Sequence, residues 1–179
     1  MKIVGVSGAL AGSKTLQTVH EVLAAAKNIN PAIETELIDI REYDIEFMCG
    51  TPLSYYNDDT QTVVNKILQA DCLVIGTPIY QASISGSLKN LLDLMPIRAF
   101  KSKVVGCITN GGSSKHLLVT QYQLKPILQY LEAIVVAKDV FVHNDLFDVE
   151  TAEILDNSVL RRIHKLAEDM LYLEGKFRD

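Results

Sequence analysis

The sequence has no tryptophan, only five prolines and three cysteines, no long apolar run and no basic cluster larger than Arg161-Arg162. Each shortage excludes something. Cys49, Cys72 and Cys107 are odd in number and widely spaced, which rules out a disulfide framework, a C-x-x-C redox pair and a zinc-ligand pattern. Cys72 and Cys107 fall inside apolar, strand-like runs and read as core residues, while Cys49 falls in a loop. Apolar stretches such as 133–137 are far below the ~20 residues a membrane span needs, and the first residues read as a buried strand rather than a signal peptide, so a cytoplasmic protein is expected. The net charge of −5, with its basic residues scattered, argues against a nucleic-acid surface, which needs a basic stripe. What is present is ordinary globular composition: 179 residues, 48% apolar and 22% charged, enough for one core and one domain over 1–179.

Short β-rich runs alternate with segments of helical period, the pattern of an α/β fold with a parallel sheet and crossover helices. Five strands are predicted at 2–6, 33–40, 72–77, 103–109 and 134–141, the central ones nearly all apolar, as strands covered on both faces must be. Helices are predicted at about 14–28, 58–70, 86–95, 114–131 and 150–173. Pro31 and Pro96 stop the first and third. Pro126 lies inside the fourth and should kink or unwind it, since it removes an N–H and its ring clashes with the preceding turn. The last helix carries its apolar stripe on Ile154, Leu155, Leu160, Ile163, Ala167, Met170 and Leu171. The one long irregular segment is 41–57.

Six of the ten glycines, Gly8, Gly12, Gly76, Gly86, Gly111 and Gly112, follow predicted strands one, three and four. In an open parallel sheet of order 2-1-3-4-5 the ligand crevice lies beyond the carboxyl ends of strands one and three, so three glycine-bearing loops converge on it. The first loop, Ser7 to Thr15, offers hydroxyls, the Lys14 cation and the free amides of a helix N-terminus, which suits a phosphate. It is one residue short of a Walker A loop, with Ser13 where the second glycine is required, and strands three and four end without a metal-anchoring Asp. Ser13 or Thr15 would also serve as a plain helix cap. The second loop, Thr77 to Gly86, reads equally as a shelf for a planar heterocycle or as a packed loop with Tyr80 half-buried. The third, Thr109 to Ser114, adds backbone amides and the Asn110 side chain, with Ser113 or Ser114 as alternative helix caps. His20, His116, His143 and His164 form no convincing pair with a cysteine or carboxylate, and neither G-x-S-x-G nor H-E-x-x-H occurs.

The runs Ala70-Asp71-Cys72-Leu73-Val74-Ile75-Gly76-Thr77-Pro78-Ile79-Tyr80 and Ser85-Gly86-Ser87-Leu88-Lys89-Asn90-Leu91-Leu92-Asp93-Leu94-Met95-Pro96 resemble the NADPH-dependent FMN reductase family of the flavodoxin-like fold. Lys103-Val104-Val105, Gly111-Gly112, His116-Leu117-Leu118 and the stretch from Tyr122 through Leu124-Lys125-Pro126-Ile127-Leu128 are similar to the flavin reductase component of two-component alkanesulfonate monooxygenases. The resemblance implies a three-layer flavodoxin-like fold, a five-stranded parallel sheet in order 2-1-3-4-5 with helices on both faces. It implies FMN with its phosphate on Ser13, Lys14 and Thr15, and its ring between Pro78, Ile79, Tyr80 and Ser83 on one side and Asn110, Gly111 and Gly112 on the other. It implies NADPH or NADH as hydride donor, a π-helical bulge at Tyr122 in a subunit interface, a homodimer or homotetramer, and a flavin-dependent monooxygenase as partner. Hydride transfer between nicotinamide and flavin is the cofactors' own chemistry, so no catalytic acid, base or nucleophile is required of the protein. A reductase with held FMN acting directly on quinone or azo acceptors, and a non-catalytic flavodoxin-like electron carrier, are the alternatives. The first loop is one residue shorter than the family's, with Ala9 and Ala11 where relatives often carry Ser and Arg, and the match weakens after Phe141.

Overall fold

A computed structural model describes residues 1–178. Its elements in chain order are β1 (Lys2–Ser7), α1 (Lys14–Ile29), β2 (Glu34–Asp39), α2 (Asp58–Leu68), β3 (Cys72–Tyr80), β4 (Ser83–Ile84), α3 (Gly86–Asp93), β5 (Val104–Gly111), α4 (Lys125–Tyr130), β6 (Ile134–Val135), β7 (Val140–His143) and α5 (Asn157–Arg178). The parallel order is β2-β1-β3-β5, with β6 and β7 sharing the edge position beside β5 and β4 pairing antiparallel with β3. This is the expected flavodoxin-like order, with the fifth strand split in two and a short hairpin strand added.

Alternation along the strands sorts the core into two layers. On β1, Ile3 joins a cluster with Val19, Val22 and Leu23 of α1 and Val159, Ile163 and Met170 of α5. Val4 and Val6 face the other way, toward Val63 and Ile67 of α2, Leu88 and Leu91 of α3 and Leu128 of α4. A sheet buried on both faces explains the nearly continuous apolar runs of β3 and β5. Gly76, grouped by sequence with the ligand loops, lies inside β3, where an added Cβ would sit 2.3 Å from Val19 Cγ2. Its role is to let α1 approach the sheet.

Three expected elements differ from their sequence readings. The fifth strand is interrupted because the register shifts between the Val105–Val135 and Ile108–Val140 pairs, looping two extra residues out. In the loop Asp139 pairs with Lys125 at 2.8 Å, and Lys125 Nζ also donates to the Ala137 carbonyl at 2.7 Å, so neutralising a buried lysine takes precedence over the ladder. The fourth helix is a 3₁₀ turn at Ser114–His116, a π-helical segment at Thr120–Leu124 and then α4. Pro126 has no N–H for the Tyr122 carbonyl, and the Lys125 N–H reaches back to the Thr120 carbonyl, the five-residue spacing of a π turn. The last helix starts at Asn157 rather than near 150, because the Asp156 carboxylate accepts from the Ser158 and Val159 amides at 2.6 and 3.0 Å and fixes its start there. Ile154 is therefore buried in the preceding loop and Leu155 is exposed. No described helix is long and apolar enough to cross a membrane.

Candidate active site

The adjacent strands β1 and β3 send their chains to opposite faces, β1 into α1 and β3 into α3. The crevice this opens at their carboxyl ends holds a cavity of about 330 Å³. Its walls are Ser13, Lys14 and Thr15 from the first loop, Pro78, Ile79 and Tyr80 from the end of β3, Asn110 from β5, and Asn144, Asp148, Val149 and Ala152 from the segment after β7.

The first loop is fastened at both ends. The Gly8 amide donates to the Gly76 carbonyl at 2.8 Å, and the Gly8 carbonyl accepts from the Ser85 and Ser87 hydroxyls at 2.6 and 2.9 Å. A Cβ on Gly8 would lie 2.7 Å from Leu88 Cβ, so the approach of loop to helix needs glycine. At the far end, Arg41 Nη1 donates to the Gly12 carbonyl at 2.9 Å while its Nε donates to both Asp39 carboxylate oxygens, each at 2.9 Å. Burial pushes the Asp39 carboxyl up, and the hydrogen bonds and charge of Arg41 more than reverse this, holding it below the usual carboxylate range. Asp39 in turn raises the Arg41 pKa.

Just past the second fastening the N-terminus of α1 is open to the cavity. Ser13 makes no side-chain capping bond, and the first turn carries no acidic residue. Unmet amides at the positive end of a helix dipole form an anion cradle. The Ser7 hydroxyl, buried at the end of β1, has no partner among the described residues. Lys14 lines the cavity, but its ammonium is directed to the far wall, donating to the Asn144 carbonyl at 2.8 Å and lying 5.5 Å from the centre of the Phe147 ring.

The second wall is the outer end of β3. Past Ile79 and Tyr80 the chain turns through Gln81 (φ 48°) and Ala82 (φ 57°) into β4, with Tyr80 opposite Ser83 and Ile79 opposite Ile84. Two successive left-handed residues make a type I′ hairpin turn, here without the glycine that usually eases it. The π-helical segment supports this turn: Gln123 Nε2 donates to the Ala82 carbonyl at 2.8 Å, and the Ser83 hydroxyl donates to Gln123 Oε1 at 2.6 Å. The third wall is Asn110, 3% exposed. Its amide nitrogen donates to the Thr18 hydroxyl at 3.2 Å, and its Oδ1 is buried without a partner among the described residues.

The structure thus brings Ser13, Lys14, Thr15, Pro78, Ile79, Tyr80 and Asn110 together, and sets other candidates apart. Ser83 turns to Gln123 instead of lining the cavity. Gly111 packs behind the site against the Phe141 ring and His116, and Gly112 sits at the rim near the Asn144 side chain. Tyr122 projects from the π-helical segment, 75% exposed and outside the cavity. Arg41 and the Asn144–Ala152 wall were missed from sequence, where no arginine stands near the loops in chain order and the polarity after His143 reads as an ordinary loop. The signal for Arg41 was its place just past the end of the second strand, at the same sheet edge as the ligand loops.

An anion cradle at one end, apolar Pro78 and Ile79 along the wall and an unmet acceptor on Asn110 together fit a flat heterocycle carrying a phosphate. Residues 1–146 match the sequence model of NADPH-dependent FMN reductases. The chain is 44% identical over 178 residues to an NAD(P)H-dependent FAD/FMN reductase of Geobacillus thermodenitrificans, covering 99% of this chain and 96% of the relative. It is 30% identical over 178 residues to the NADH-dependent FMN reductase SfnF of Pseudomonas fluorescens, covering 98% and 92%. The apo crystal structure of the NADH:FMN oxidoreductase EmoB superposes with a TM-score of 0.79 at 24% identity, over 98% of this chain and 89% of that one, a likeness of fold.

Proposed function

The chain belongs to the NADPH-dependent FMN reductase family, and from that premise we propose that it binds FMN in the cavity at the carboxyl ends of β1, β3 and β5 and reduces it with NADPH or NADH. The observation that carries this reading is the convergence on one cavity of the uncapped start of α1, the apolar end of β3 and Asn110. Ser13, the amides of Lys14 and Thr15, and the positive end of α1 would hold the phosphate. Pro78, Ile79 and Tyr80 would flank the ring on one side and Asn110 on the other. When bound, FMN would supply the redox chemistry, with hydride acceptance from a nicotinamide as the cofactors' own reaction. The protein's part is to orient and to exclude: Arg41, Ser85 and Ser87 tie down the first loop, and Gln123 holds the hairpin that carries Tyr80.

The same reading makes a flavin-dependent monooxygenase the recipient of reduced flavin. Tyr80 is half exposed at the cavity wall, which supports a ligand that comes and goes. Homo-oligomerisation is supported by exposed apolar side chains: Ile97 after α3, Leu117 and Leu118 before the π-helical segment, and Tyr122 within it. A cytoplasmic location fits an enzyme fed by the nicotinamide pool. The test is an absorbance spectrum of the purified protein together with NADPH oxidation in the presence and absence of added FMN. Colourless protein that oxidises NADPH only with added FMN supports flavin release. Yellow protein bleached by NADPH assigns a held flavin and a direct acceptor, and protein that neither binds FMN nor oxidises NADPH refutes the reading.

A further inference from the structure

We propose that Lys14 is a positioning residue that latches a cap over the flavin phosphate, and that this cap makes the site discriminate a flavin ending in a phosphate monoester from one extended through that phosphate into a second nucleotide. The inference rests on the flavin-reductase reading above and concerns the wall that sequence did not anticipate. Residues 146–155 form a small hairpin: the Asp148 amide donates to the Glu153 carbonyl at 2.8 Å, the Leu155 amide donates to the Leu146 carbonyl at 2.8 Å, and Phe147 and Ile154 are bridged. Its base is anchored, with Phe147 and Ile154 both buried, and its turn is built, with Ala152 at φ 58°. Its tip at Val149 is 97% exposed. Asp148, Val149 and Ala152 face the first loop across the cavity.

Lys14 spans the gap. A cation in the first turn of a helix opposes the helix dipole, so its presence there is unfavourable unless something holds it. Here the Asn144 carbonyl and the face of the Phe147 ring hold it, and both belong to the chain entering the cap. A lysine serving a phosphate alone would need neither contact. Across from it the Asp148 carboxylate accepts at one oxygen, Oδ1, from the Thr151 amide, the Glu150 amide and the Thr151 hydroxyl, which hold it below the usual carboxylate range and therefore ionised near neutral pH. A phosphate monoester on α1 terminates in the cradle. A phosphodiester held there would continue toward the wall of Asp148, Val149 and Ala152, past the Asp148 charge, and would need the cap to move.

The experiment measures kcat/KM for FMN, FAD and riboflavin with NADPH in the wild type, Lys14→Met, Lys14→Arg and Asp148→Asn. Asp148→Asn keeps the accepting oxygen of the tip and loses only the charge, so this variant tests the inference even if Lys14→Met folds poorly. The expected result is a rise in the FAD-to-FMN ratio of about tenfold in Lys14→Met, the factor one charge-assisted hydrogen bond supports. The ratio rises in Asp148→Asn as well and returns toward the wild-type value in Lys14→Arg. Cleavage by a glutamate-specific protease at Glu150 in the tip speeds up in Lys14→Met. If Lys14 merely contacts the phosphate, FMN and FAD fall together, riboflavin is unaffected and the ratio stays put, which overturns the proposal. A wild type that binds no flavin and fails to oxidise NADPH with FMN, FAD or riboflavin refutes the proposed function instead, and the cap is then decided by the protease rates, equal rates overturning it.

Discussion

Replacing Asp139 by Asn tests the link from the broken edge strand to the ring wall. Lys125 and Asp139 form an ion pair at 2.8 Å with side chains only 8% and 13% exposed. Gln121 Nε2 adds a bond to Asp139 Oδ1 at 2.9 Å, so the carboxylate ties both the π-helical segment and the start of α4 to the looped-out residues. Removing one charge of a buried pair leaves the other uncompensated, at a cost of about 3–5 kcal/mol. That is a large share of the ~5–15 kcal/mol that stabilises a typical domain and corresponds to a fall in melting temperature of roughly 10 °C for a chain of this size. The loss should extend to the site, because the same π-helical segment carries Gln123, which holds the Ala82 carbonyl and Ser83 and so positions Tyr80. Urea denaturation of the wild type, Asp139→Asn, Lys125→Met and the double variant gives the pairwise energy, and FMN titration of the same proteins reports the wall. The double variant should recover part of the loss, since no buried charge is then left unpaired. A single Asp139→Asn loss below about 1 kcal/mol, the range of exposed pairs, would show that the pair is solvated and refute the reasoning.

Three further outcomes follow from the geometry. Asp39 has a lowered pKa in the folded state, so the stability it contributes is full above its unfolded value of 3.8 and is lost as pH falls through the folded value; the gap in unfolding free energy between wild type and Asp39→Asn should hold at neutral pH and close in acid, and a gap that widens in acid contradicts the Arg41 contact. Cys107 is buried and its thiol is pushed up to about 12, whereas exposed Cys49 is lowered by hydrogen bonds from Thr51 and Tyr56; a thiol reagent at pH 8 should titrate one cysteine in the native protein and three in denaturant, and two fast native thiols would contradict the burial. Gly76→Ala places a Cβ 2.3 Å from Val19 Cγ2 and should cost about 1–3 kcal/mol, partly recovered by Val19→Ala, as read by thermal unfolding.

The alternation of apolar strands with amphipathic helices was legible residue by residue, and so was the convergence of three loops at one sheet edge. The first is local, since burial on two faces writes a continuous apolar run into each strand; the second rests on the strand order that the resemblance implies, which puts the switch point at those loops. Ser13, Thr15, Pro78 and Ile79 were named from the loops at that edge, and the structure sets all four around one cavity, the first two at the start of α1 and the others at the end of β3. The distortion at Pro126 was readable too, because a missing N–H acts on its own turn.

The rest depended on partners distant in sequence. Glycine looks the same whether it frees a loop or admits a helix, and only the packing of Val19 shows that Gly76 does the latter. Residues 134–141 have the composition of one strand, and Lys125, from the helix before, breaks it. Ser83 turned to Gln123, forty residues on, and Lys14 to Asn144, 130 residues on. The sequence by itself determined the alternation of strands and helices and the sheet edge where the three loops converge, because these follow from periodicity and connectivity, and the strand order came with the family resemblance. Which side chains close the site was decided only by the tertiary structure, because a hydrogen bond or an ion pair between distant residues leaves no periodic trace in either segment.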